Sequence, residues 1–286
     1  MNSLCLCVIK FKKRYSAAAL TKGDFCYIIL IEINAGGGAK MLEGYAMTII
    51  GKSKSDNTDN FSINGKIRFD AEDKYLAAWD DVTHKKNVYA VFSGRGSEDM
   101  AATAAFIGAS VAEKCRKKDL AANFEAFSEL LNGEICDYIF NCDGVRVALL
   151  TSVLCISGKS VSAFNIGGGA VLLLRNGRLK SLVKKNESFA GSFEEEGGCT
   201  FERSQELTLE DGDSFAVCCE AVANTVTENE LAEIMKNEAS AKKAAAAIIR
   251  KAMDNGAEEA LTVACVNYAG DQNKKSGILG RIFKRY

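Results

Sequence analysis

The stretch Asn87 to Ala102, NVYAVFSGRGSEDMAA, changes character twice. An apolar run from Val88 to Phe92 reads as a strand, Ser93-Gly94-Arg95-Gly96-Ser97 as a tight glycine loop, and the small residues from Met100 as the start of a helix. A strand that delivers a glycine loop to a helix is a common way to present an active-site backbone, so the polar residues beside those glycines decide what the chain can do.

Upstream, Ala46 to Ile50 is apolar and β-branched, and Phe61-Ser62-Ile63 and Lys66-Ile67-Arg68-Phe69 flank Asn64-Gly65, a two-residue hairpin turn. Downstream, Met100 to Lys118 carries small and apolar residues at helical spacing and ends in basic residues, as a helix C-terminus favours. A second helix is predicted from the capping residue Asn123 to Leu131, stopped by Gly133. Strands follow at Val145 to Ile156, Val161 to Ile166 and Ala170 to Val183, the last divided by a second hairpin pair, Asn176-Gly177. Gly191 to Arg203 is a polar loop whose Glu194-Glu195-Glu196 run reads as solvated. Ser214 to Cys219 is a strand, Glu228 to Lys236 and Ser240 to Asp254 are helices, and Leu261 to Tyr268 is a closing strand. Strands joined by tight turns pair antiparallel, so the pattern is α+β, with antiparallel sheets and helices packed outside them.

Composition narrows the function classes. With 36 basic and 37 acidic residues the net charge is -1, which provides no global field toward nucleic acid or anionic lipid. The 11 cysteines form no CxxC pair and His84 is the sole histidine, so zinc ligation is not expected and the cysteines read as small core residues of a reducing, cytoplasmic protein. His84, beside Lys85 and Lys86, reads as a solvated loop residue. No apolar run approaches the ~20 residues that span a bilayer. Residues 1–43 alternate apolar and basic patches and end near Gly36-Gly37-Gly38. They read as an extension, with Met41 a candidate native start.

The short motifs at the element junctions, taken in order, resemble the PPM-type (type 2C) protein serine/threonine phosphatases of the bacterial single-domain kind. Ile50 to Phe61, IGKSKSDNTDNF, is similar to the family opening GxxRxxNEDxF, with Lys54 for the arginine and Thr58 for the glutamate. A second alignment uses Arg68 to Asp73 instead and leaves that match unexplained. Ser93-Gly94-Arg95-Gly96 stands for DGMG, Gly144-Val145-Arg146 for GTT, Phe164 to Ala170 for VGDSR, and Val183 to Asn186 for TxDH. Phe215 to Ala221, FAVCCEA, is similar to FLLCSDG with Glu220 for the aspartate. Gly256 to Val263 resembles GxxDNxTV with Glu259 for aspartate and Ala260 for asparagine.

The resemblance implies two packed antiparallel sheets flanked by helices, an α/β/β/α sandwich over residues 44–268, followed by a basic tail, 269–286. It also implies a phosphate-holding position at Lys54 and metal positions at Asp59, Ser93, Gly94, Glu220 and Glu259. The family aspartate at the place of Ser93 bridges two divalent ions that share an activated water. A serine hydroxyl is a poor magnesium or manganese ligand, and Glu220 and Glu259 are each longer than aspartate by a methylene. The expectation is a phosphatase-like domain with no catalytic residue and no cofactor. It would be a pseudophosphatase acting as a protein-binding or regulatory module, with a phosphoprotein or kinase as partner and no nucleic acid. The alternative is a working serine/threonine phosphatase that holds one manganese or magnesium weakly through Asp59, Glu220, Glu259 and the Gly94 carbonyl. In the tail, Ile278/Ile282 and Leu279/Phe283 lie four apart beside basic residues. Residues 274–286 therefore read either as a face for a membrane surface or partner groove, or as a disordered basic end.

Overall fold

In the computed structural model, residues 41–52, 54–69, 75–80, 84–116, 118–144, 146–191 and 199–269 are described. Residues 1–40 of the extension, the Glu194 to Glu196 run and residues 270–286 of the basic tail lie outside them, whereas 41–43, read as extension, and 269, read as tail, belong to strands. The strands are β1 (Met41–Ile49), β2 (Asp59–Ile63), β3 (Lys66–Ile67), β4 (Tyr75–Asp80) and β5 (Lys86–Arg95). Two helices follow, α1 (Glu98–Arg116) and α2 (Phe124–Asn141). Then come β6 (Ala148–Ser157), β7 (Ser160–Ile166), β8 (Ala170–Arg175), β9 (Arg178–Ser181), β10 (Glu202–Arg203), β11 (Leu207–Thr208) and β12 (Ser214–Cys218). The chain closes with α3 (Glu220–Thr225), α4 (Glu228–Asn237), α5 (Ala241–Asp254) and β13 (Leu261–Ala269).

The strands form two antiparallel sheets. One has the order β4-β1-β13-β12-β8-β9 and the other β10-β7-β6-β5-β2-β3, with β11 also on β7. Strand β5 explains the layering. Tyr89 and Val91 join the core shared by the two sheets, while Val88, Ala90 and Phe92 alternate to the other face and pack with α1 and α2. A strand covered on both sides has no solvated face, which is why its sequence is a continuous apolar run. Helix α1 lies on this sheet through Ala101, Ala104, Ala105, Gly108, Ala109 and Ala112, residues small enough to let the backbones approach. On the opposite side α5 buries Ala245, Ile248, Ile249 and Ala252 in the core of the first sheet. The layers are thus helix, sheet, sheet, helix, as the sequence pattern implies.

Both Asn-Gly pairs turn as predicted. Asn64 and Gly65 have φ of 50° and 90°, and Asn176 and Gly177 have 51° and 72°, the positive values a tight hairpin with right-handed twist requires.

Four expectations are corrected. Helix α2 does not stop at Gly133 but runs on to Asn141, because Ile135 and Ile139 continue its buried stripe; that burial outweighs the roughly 1 kcal/mol cost of an internal glycine. Its Asn123 is the N-cap residue but makes no side-chain capping bond. Ser93, Gly94 and Arg95 are not loop: they extend β5, paired with Leu150, Leu149 and Ala148 of β6. His84 is half-buried, and its ring lies 3.0 Å from Asp80 Oδ2, a carboxylate that also accepts from Asn64. Beyond these, β4, β11 and α3 have no counterpart in the sequence reading, and β10 falls within the stretch read as a polar loop. The described cysteines are all free, and Cys155, Cys199, Cys218, Cys219 and Cys265 are buried in the core. No described helix is long and apolar enough to cross a membrane.

Candidate functional site

The site lies where one end of each sheet meets the other. From the helix-covered sheet, Asp59 opens β2 directly opposite Ser93 of β5. The Gly94 amide donates to the Thr58 carbonyl at 2.9 Å, which fixes that register. Gly94 cannot carry a side chain, since an added Cβ would overlap the Ala101 backbone in the first turn of α1. From the other sheet, β12 ends at Cys218, and Cys219 caps α3 so that Glu220 begins it. Glu259 sits two residues before β13, and the Cys219 amide donates to the Thr262 carbonyl at 2.9 Å. Polar side chains continue the seam: the Thr48 and Thr262 hydroxyls are 2.7 Å apart, and the Asn57 amide donates to Thr48 at 3.0 Å.

Strand alternation puts Ser93 and Arg95 on the same side of β5 as Tyr89 and Val91, facing the other sheet. From there Arg95 reaches across. Its Nη2 donates to Glu220 Oε2 in a close ion pair, and its Nη1 is 3.9 Å from Glu259 Oε2. Lys54 Nζ is 3.8 Å from the same Glu259 oxygen. Side-chain exposures of 39% for Arg95, 27% for Glu220 and 49% for Glu259 make the centre half-open. Burial works against the Arg95 charge, but the bond to Glu220 and the fields of Glu220, Asp59 and Glu259 outweigh it and leave the guanidinium pKa raised.

Asp59 lies beneath this pair and is only 3% exposed. Its Oδ2 has no hydrogen-bond partner. Burial pushes the carboxyl up to about 6, offset in part by the nearby Thr262 and Ser93 hydroxyls, the Cys219 thiol and the Arg95 charge. None of these reaches Oδ2 in bonding geometry. The Asp59 main chain is anchored, because its carbonyl and that of Asn57 both accept from Nη2 of the buried Arg68, at 2.7 and 2.6 Å. Arg68 thus serves the back of β2 and does not enter the site.

The loop with Lys54 is held from below. Glu98, at the start of α1, accepts from the Ser55 amide and hydroxyl at 2.7 and 2.6 Å and from the Asp56 amide at 3.1 Å. Gly168, in the turn after β7, faces Glu220: an added Cβ would overlap Glu220 Oε1 and stand 2.7 Å from its Cδ.

The structure therefore brings Lys54, Asp59, Ser93, Gly94, Glu220 and Glu259 together at one end of the sandwich. It also supplies a member the sequence reading left without a role, Arg95. Its signal was present in the sequence, since an arginine sits within the motif that lost its aspartate. Among the described residues no three His, Cys, Asp or Glu side chains are arranged to hold a metal ion. The two glutamates are paired with cations of the chain itself, Glu220 with Arg95 and Glu259 with Arg95 and Lys54.

No family model matches the sequence, and no curated protein matches it. The structure does match solved ones. The catalytic domain of the serine/threonine protein phosphatase PstP in complex with two manganese ions is 15% identical with a TM-score of 0.64, over 80% of this chain and 99% of that one. The S. agalactiae serine/threonine phosphatase is 14% identical with a TM-score of 0.63, over 79% and 98%. RsbX in complex with magnesium is 14% identical with a TM-score of 0.59, over 85% and 100%. At such identities the likeness is one of fold. The chain has the PPM-type serine/threonine phosphatase fold, at nearly the full length of these domains.

Proposed function

We propose that the chain is a PPM-fold domain without phosphatase turnover, a pseudophosphatase that works as a protein-binding or regulatory module. The observation that carries this reading is the Arg95 guanidinium held on the Glu220 carboxylate. Glu220 stands at the position where the fold's metal-dependent members have a ligand, and here it is occupied by a protein cation. A dication beside that guanidinium would be repelled, and Ser93 offers no bridging charge opposite Asp59. The donor set does not fit a pair of divalent ions, and we derive no reaction step through them.

The partner in this reading is a protein in the cytoplasm, a phosphoprotein or a kinase, because the fold's solved neighbours are serine/threonine phosphatases. Scaffolds keep their surfaces when a site loses its chemistry. The free, largely buried cysteines accord with a reducing compartment. The deciding experiment is hydrolysis of a phosphothreonine peptide by the purified chain in millimolar manganese. No turnover above the metal-only background is expected. Manganese-dependent turnover abolished by Glu220→Gln would overturn the reading in favour of a working phosphatase using Asp59, Glu220 and Glu259.

A further inference from the structure

The three carboxylates at the seam come from different sheets: Asp59 from the start of β2, Glu220 from the end of β12 and Glu259 from the approach to β13. Asp59 is almost wholly buried, with an oxygen that no protein group bonds, so bulk solvent screens its charge little. Buried Asp59 and the two half-exposed glutamates repel one another across the junction of the two sheets unless a cation lies among them. Arg95 is that cation. It belongs to β5, in the same sheet as Asp59, yet its two terminal nitrogens face the glutamates of the other sheet. Its planar fork can address two carboxylates at once, which a lysine ammonium on a flexible stem does less well. Lys54 adds a second positive charge against Glu259 from the outside.

We infer that Arg95 is a built-in replacement for the divalent ions of this fold, an internal cation that ties the two sheets together at the seam. The inference rests on the reading of the centre as metal-free and extends it. The guanidinium keeps the place closed to metal and also performs the charge-balancing task a metal would perform, so a chain without it should need one.

The test is thermal unfolding of Arg95→Met with and without manganese or magnesium chloride. Arg95→Met is expected to melt lower than wild type by about 3–6 °C, a loss of one to two partly exposed ion pairs. Millimolar manganese should restore most of that difference while leaving the wild-type midpoint unmoved. Adding Glu220→Gln should recover stability without metal and remove the rescue, because it lowers the repulsion that either cation offsets. An Arg95→Met variant that melts like wild type overturns the inference, as does one lowered without any rescue, or a wild type stabilised by manganese as much as the variant. If Arg95→Met does not fold at all, the double variant decides: folding supports charge balance as the role of Arg95, and failure to fold refutes it. Wild-type turnover of the phosphopeptide would defeat the proposed function whatever these melts give, and unresponsive melts would defeat the inference while leaving the absence of turnover standing.

Discussion

Gly168 and Glu220 occupy one another's space: the carboxyl of Glu220 fills the volume that a side chain at residue 168 would require. Glycine at residue 168 and glutamate at residue 220 are therefore a single packing solution, the acid filling room that any side chain at residue 168 would need. Gly168→Ala is expected to expel the Glu220 carboxyl from its bond with Arg95 and to cost about 1 kcal/mol, the loss of a partly exposed ion pair. In a double-mutant cycle read by urea denaturation, Glu220→Ala should remove most of that cost; equal costs in both backgrounds would show that the two residues are not coupled.

Burial of the Asp59 carboxyl makes its charged form unfavourable in the folded chain. Below its ordinary pKa of 3.8 the carboxyl is protonated in both folded and unfolded chains. Between 3.8 and about 6 the unfolded chain releases the proton and the folded chain holds it. The folded state is then lost preferentially as pH rises through this window, and the contribution levels off above pH 6. That rise corresponds to about 3 kcal/mol of destabilisation at neutral pH. Asp59→Asn should accordingly be more stable than wild type at pH 7 and indistinguishable from it near pH 3.5. Chemical denaturation across pH 3.5 to 8 reads both limits, and a variant equally or less stable at pH 7 would contradict the burial argument.

Helix α4 begins with a reciprocal cap: the Glu230 amide donates to the Thr227 hydroxyl, and the Glu230 carboxylate accepts from the Thr227 amide at 2.9 Å. The Lys251 ammonium of α5, 2.9 Å away, and the Thr227 cap together hold the Glu230 carboxyl down at about 2. Because that pKa is depressed, the stability it contributes is complete above pH 4.5 and is lost as pH falls toward 2. Thr227→Ala should cost about 1 kcal/mol at pH 7, and Glu230→Gln should flatten the acid limb of the stability profile between pH 4.5 and 2. An unchanged acid limb would mean that the pair is free in solution.

Gly94 tolerates no replacement, because Ala101 C and Cα would stand 2.5 and 2.8 Å from a new Cβ and both belong to backbone. Gly94→Ala should lose about 3 kcal/mol or more, or fail to fold. Circular dichroism and a melt suffice to check it. A near-neutral result would mean that the end of β5 can part from α1.

The sequence made the sandwich legible wherever a local rule and burial agree. The Asn-Gly pairs at 64–65 and 176–177 fix two hairpins through backbone geometry alone, and the apolar periods of α1 and α5 survive unchanged in the fold. Legibility failed where tertiary packing overrides the local signal. Gly133 looks like a helix stop, but Ile135 and Ile139 carry the buried stripe past it. Ser93-Gly94-Arg95 looks like a loop because serine, glycine and arginine are poor strand formers, yet ten paired positions of β6 hold them in the ladder. In the site, Lys54, Asp59, Glu220 and Glu259 were readable as positions, because short motifs mark them. The role of Arg95 was not, since an ion pair between residues 95 and 220 depends on two sheets meeting, which no local pattern encodes.

Glu98 binds the loop that presents Lys54, and it opens the helix that follows Arg95 by three residues. The two cations of the seam consequently share one mechanical footing at the head of α1. The loop that carries one cation and the strand that carries the other are thus both tied to a single helix end, so the geometry of the rim and that of the joint between the sheets have one common anchor.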